Sequence, residues 1–95
     1  MKLKDLHLGN NEVSAKSISA SVISNITAIE ILRGKLLKEH MTKSPAVLLC
    51  ILGAVEYEDE TGQKIVLNSG DFHHIAPMIK HWVKGLEDSE LILVK

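Results

Sequence analysis

A lone cysteine, a net charge of −1 and no apolar run longer than Ala46–Leu52 define this 95-residue chain by what it does without. One cysteine, Cys50, leaves no internal disulfide framework and no C-x-x-C metal or redox motif. The near-neutral charge withholds the basic footprint that releases counterions from phosphates, so nucleic acid is not an expected partner. The basic cluster Lys35, Lys38 and Lys43 is diluted by Glu39, Leu36 and Leu37 and reads as solvated edge residues. No segment approaches the roughly 20 apolar residues that cross a bilayer, and Met1 to Leu8 is charged without an apolar stretch. Those absences predict a protein of a reducing compartment, the cytoplasm, with no membrane partner. Repeats, low-complexity tracts and interdomain linkers are also missing, and the length fits one small domain.

What is present is a succession of short strand signals. Ser17, Ser19 and Ser21 alternate with Ile18, Ala20 and Val22, the two-residue period of a half-buried strand. Ile26 to Arg33 reads as the next strand and Gly34 as its turn, followed by Lys35 to His40 and a loop through Pro45. Ala46 to Leu52 is uninterrupted and apolar, which predicts burial on both faces. Strands follow at Val55 to Glu58, Lys64 to Leu67, Asp71 to Ala76, His81 to Leu86 and Glu90 to Val94, separated by turn-forming residues. Turn signals every 8–12 residues and no convincing helix predict an all-β sandwich or closed barrel. We expect a polar lead-in over 1–13 and one domain over 14–95.

The spacing within that pattern resembles the cupins, small jelly-roll β-barrels. Their first motif runs Gly, five residues, His, one residue, His, three or four residues, Glu, six residues, Gly. Gly34, His40 and Gly53 match it, while Thr42 stands at the second His and Ala46 at the Glu. Gly70 and His81 match the second motif; Ala76 and Pro77 place its proline one residue late, and Met78 and Gly85 replace its later Gly and Asn. Sixteen residues separate the motifs, as in small microbial members. The resemblance implies a cupin-type jelly-roll barrel, commonly a homodimer. The serine-rich stretch before Ile26 is then a candidate edge for pairing with a neighbour.

Side chains two apart on a strand share a face. His40 and Thr42 are therefore expected inside the barrel, with Ala46, Leu48 and Cys50 on the inner face of the next strand and His81 approaching from a third. The resemblance implies a divalent transition metal (Zn, Fe, Ni or Mn) on His40 and His81, with a third imidazole from His73 or His74. Only one of those neighbours can point inward. Cys50 is a softer candidate ligand, Glu30 a candidate replacement carboxylate, and Glu39 and Trp82 are expected outside. Thr42, Ala46, Leu48 and Cys50 would line the pocket. Two functions follow. One is a cupin that binds a metal, a small organic ligand or both, with dioxygenase- or isomerase-like activity. The other is a metal-free cupin that binds or senses a small molecule without catalysis.

Overall fold

The computed structural model describes residues 3–7, 9, 11–20 and 25–95. Among these residues a 3₁₀ turn, Leu3–Leu6, precedes nine strands: β1 Val13–Ala20, β2 Asn25–Ile31, β3 Leu36–His40, β4 Ala46–Leu52, β5 Ala54–Asp59, β6 Lys64–Asn68, β7 Phe72–Ile75, β8 His81–Gly85 and β9 Ser89–Val94. They form two antiparallel sheets, ordered β1-β2-β9-β4-β7 and β3-β8-β5-β6. This is the expected all-β jelly roll. No helix among the described residues is long and apolar enough to cross a membrane.

Alternation supplies the core. From one sheet come Ile29, Ile31, Ala46, Leu48, Cys50, Ile75 and Leu91; from the other, Val55, Tyr57, Leu67 and Val83. Burying each large aliphatic side chain contributes about 1.5–3 kcal/mol, which drives the two sheets together. Two glycines allow the close approach. Gly53 turns β4 into β5 at φ 94°, and a Cβ there would lie 2.5 Å from both the Asp88 carbonyl oxygen and Ser89 Oγ. At Gly85 the constraint is space alone, because a Cβ would meet the Leu32 carbonyl at 2.5 Å.

The first strand differs from expectation. It starts at Val13 and pairs with β2 along its length, with a bulge between Ser17 and Ser19. The expected continuation to Val22 lies outside the described residues. The lead-in is also tied to the sheet: His7 Nδ1 lies 2.9 Å from Ser14 Oγ, and its Nε2 lies 3.8 Å from Glu90 Oε2.

Candidate site at the imidazole end of the barrel

Strand register lays one row of ionisable side chains across the inner face of the four-stranded sheet. His40 on β3 faces His81 on β8, and His81 faces Asp59 on β5. A bulge in β3 creates this row. Leu37 and His40 are three positions apart, while their partners Val83 and His81 are two apart. Leu37 packs against the core, so strict alternation would turn Glu39 inward and His40 outward. The extra residue reverses that parity. Glu39 instead meets Lys80 on the surface at 3.7 Å.

Four rings form a row that is buried in its middle, half-buried at His73 and exposed at His40. His73 lies 4.5 Å from Tyr57, Tyr57 lies 5.7 Å from His81, and His81 lies 5.9 Å from His40, centroid to centroid. Tyr57 is fully buried, His81 is 4 % exposed, and His40 stands at the open end of the row. His40 also borders a surface groove with Glu12, Val13 and Leu37.

Hydrogen bonding sets what each group can do. His40 Nδ1 contacts the Lys38 carbonyl, and His81 Nδ1 lies 3.3 Å from the Ile79 carbonyl. A carbonyl only accepts, so both Nδ1 atoms carry the hydrogen, and in the neutral form of each ring Nε2 keeps the lone pair. Burial depresses the His81 pKa, outweighing the opposing hydrogen bond to the Ile79 carbonyl, with smaller and opposite influences from the neighbouring His40 and Asp59. His73 is also depressed, chiefly by burial. Both rings are therefore neutral at neutral pH.

Asp59 is saturated. Its Oδ2 accepts from Tyr57 Oη at 2.9 Å, and its Oδ1 accepts from the Thr61 hydroxyl and from the backbone N–H groups of Thr61 and Gln63. Burial alone would raise the carboxyl pKa, but these donors hold it below the ordinary value. Burial and the bond to Asp59 push the Tyr57 phenol well above its usual range, so it remains a donor. Two polar atoms are left over. Thr42 Oγ1 and His73 Nε2 are buried and hydrogen-bond to no described residue. Thr42 is 5 % exposed, and its carbonyl accepts from Met78 N at 2.7 Å.

The expected residues divide accordingly. His40, His81, Thr42 and His73 lie at this end. His74 does not: its partner Val47 sits on the outer face, and His74 stacks edge-on with exposed Phe72, 5.7 Å away. The residue that faces inward, opposite buried Leu48, is His73. Ala46, Leu48 and Cys50 point inward as expected but belong to the packed core rather than to an open pocket. Cys50 lies four residues along β4 from Ala46, about 13 Å toward the opposite end. Burial and the charges of Asp71 and Glu87 raise its thiol pKa, which suits packing and disfavours a thiolate ligand. Glu30 faces outward beside Glu90 on β9, far from the imidazoles. Trp82 is on the outer face and donates from Nε1 to Glu58 Oε1 at 3.0 Å.

Tyr57 and Asp59 were not singled out from sequence. Their signal was there: counting by twos from buried Val55 places both on the face that meets His81.

A resident metal fits poorly. Two Nε2 donors sit on neighbouring rings, but the third imidazole packs on Tyr57 and the nearby carboxylate is fully used. Among the described residues no group of three His, Cys, Asp or Glu side chains is placed to hold an ion. Catalytic zinc sites take three protein ligands.

Comparison with known proteins agrees with the architecture. Neither a protein-family model nor a curated protein sequence matches the chain. Solved structures do. A cupin superfamily protein from Desulfitobacterium hafniense superposes with a TM-score of 0.85 at 16% identity, covering 98% of this chain and 84% of that one. An RmlC-like cupin of double-stranded β-helix fold from Methanocaldococcus jannaschii gives 0.80 at 16% identity, over 94% and 84% of the two chains. KdgF from a Halomonas species gives 0.78 at 24% identity, over 87% and 76%. The chain is a small protein of cupin fold.

Proposed function

We propose that this cupin-fold protein binds a small organic molecule at the imidazole end of the barrel, without a resident metal. The observation that carries this reading is the set of unused polar atoms on the imidazole row and on Thr42, two residues beyond His40. His40 and His81 offer two Nε2 lone pairs, and Thr42 Oγ1 and His73 Nε2 are buried without a partner. Leaving a buried polar atom unpaired costs about 1–3 kcal/mol, a penalty that a bound molecule relieves. Neutral imidazoles accept hydrogen bonds, so the fitting ligand carries several hydroxyl or amino donors. Tyr57 cannot serve as a base, because its proton is held on Asp59. In this reading the barrel senses or carries its ligand. A cytoplasmic location goes with it, supported by Cys50 being a single buried thiol.

A second reading rests on the matched tautomers. Fixing Nδ1 on a carbonyl is how proteins orient metal-binding histidines, so a transition metal such as Zn, Fe, Ni or Mn would sit on His40 and His81 and draw its remaining ligands from the bound molecule. That arrangement would support the dioxygenase- or isomerase-like alternative. Elemental analysis and native mass spectrometry of tag-free protein separate the two. An organic adduct without metal supports the first reading. One metal per chain, lost in both His40→Ala and His81→Ala, replaces it with the second.

A further inference from the structure

The imidazole row faces a second polar wall on the other sheet. Residues two apart on a strand share a face, so the parity that puts Ile29 and Ile31 in the core puts Thr27 and Asn25 on the same inner face. On β9 the same count runs from Leu91 through Leu93 to Lys95. Strand pairing continues to this point, which keeps the parity intact. The Lys95 N–H donates to the Asn25 carbonyl at 3.0 Å, and the Asn25 N–H donates to the Lys95 carbonyl at 2.6 Å. On its other side Lys95 lies one step beyond the Val94–Val47 pair, beside buried Ala46. The inner face of the five-stranded sheet therefore ends in Asn25, Thr27 and Lys95, at the end of the barrel where the other sheet presents His40, His81 and Asp59.

Lys95 stands apart from the other strand lysines. Lys16 is level with Ala28 on the outer face, Lys64 meets Glu56 and Glu58, and Lys84 lies opposite Glu56. Among the described residues no Asp or Glu carboxylate lies within ion-pair distance of the Lys95 ammonium. Asp59, the acid in the row, spends both oxygens on Tyr57, Thr61 and Gln63. The charge of Lys95 is felt instead by His81, whose proton affinity it lowers from the opposite sheet.

We infer that Lys95 binds a carboxylate of the ligand, which makes that ligand a small organic acid bearing hydroxyl or amino groups. This rests on the imidazole-end reading above and adds the charge that reading leaves open. Packed sheets lie about 10 Å apart, so a molecule of a few carbon atoms touches both inner faces. Its hydroxyl or amino groups donate to the imidazoles of one sheet while its carboxylate accepts from the ammonium of the other. An ammonium is a compact point charge, and the sole arginine, Arg33, lies at the opposite end beside Asp88. One such charge matches a single carboxylate rather than a doubly charged phosphate. The bond is charge-assisted and thus roughly twice as strong as a neutral one.

Imidazole NMR spectra of the tag-free full chain test this, with glycerate and gluconate as probes beside their neutral counterparts glycerol and sorbitol. The acids should shift the His40 and His81 signals saturably and bind at least about tenfold more tightly than the polyols, the margin of one charge-assisted hydrogen bond. Lys95→Met should remove that margin and Lys95→Arg keep it, while Lys84→Met, on the outer face, binds as the parent does. With no probe present, Lys95→Met should also raise the pH at which His81 titrates. Equal binding of acids and polyols, a Lys95→Met protein that keeps the margin, or an unmoved His81 titration overturns the role of Lys95 and leaves the imidazole site standing. Probes that move none of the imidazole signals overturn both.

Discussion

His40 and His81 are directly opposed on neighbouring antiparallel strands, with ring centroids 5.9 Å apart and planes inclined by 26°. The two rings nevertheless differ in environment, and that difference sets what each contributes. His81 is buried beneath Tyr57; His40 is open to solvent.

Replacing the two histidines should therefore have unequal structural cost. His81→Ala removes a buried ring and is expected to destabilise by about 1–3 kcal/mol, whereas His40→Ala should stay within about 0.5 kcal/mol. Chemical denaturation of both variants measures the difference. Equal destabilisation would show that the burial gradient along the row has no energetic meaning.

Stability should fall on mild acidification. The pKa values of His73 and His81 are depressed in the folded chain, so the unfolded chain takes up protons first. Their contribution is complete above about pH 6.5 and is lost as pH falls from there through the depressed folded values. The melting temperature should drop between neutral pH and about pH 5, and less steeply in His73→Gln. Asp59, also depressed, adds a further loss below the ordinary carboxyl range. A flat profile down to pH 5 would mean that neither ring is held neutral.

The Tyr57–Asp59 bond should be visible in alkali. Tyr57 is the sole tyrosine, and its raised pKa means that the folded chain keeps the phenolic proton where the unfolded chain releases it. Folding stability is unaffected below about pH 10 and declines above it. Phenolate absorbance should appear only as the protein unfolds. Asp59→Ala, which strips partners from the Tyr57 hydroxyl and from Thr61, should cost about 2–4 kcal/mol, and Tyr57→Phe only about 1 kcal/mol.

Met78 holds a left-handed conformation, φ 62°, at the position where the cupin motif has glycine. That conformation costs a side chain about 1–2 kcal/mol, while glycine adds about 0.5–1 kcal/mol of unfolded-state entropy. Met78→Gly should thus be neutral to stabilising by up to about 1 kcal/mol, read as a raised melting temperature. Gly53→Ala should do the opposite, because its Cβ would press on Asp88 and Ser89.

The strands were legible because their code is local. Ala46 to Leu52 and the turn residues at Gly34, Gly53 and Gly70 marked element boundaries to within a residue or two. The opening strand was less legible: Val13 to Lys16 carries weak alternation, and only pairing with β2 makes it a strand. Of the site, His40 and His81 were found by spacing. Their companions Tyr57 and Asp59 were not, since no motif position marks them. The choice between His73 and His74 stayed open because adjacent residues on a strand are equivalent until a register is fixed.

By itself, then, the order of residues determined an all-β jelly roll and the two histidines at its motif positions, since two-residue periodicity and turn chemistry act over a few neighbours. The tertiary structure alone decided which side chains share a face. The β3 bulge turned His40 rather than Glu39 toward His81, pairing with Leu48 turned His73 inward, and the ladder with Asn25 carried Lys95 onto the inner face. The physical reason is that a strand's parity is meaningful only relative to its partners, and those partners lie far away along the chain.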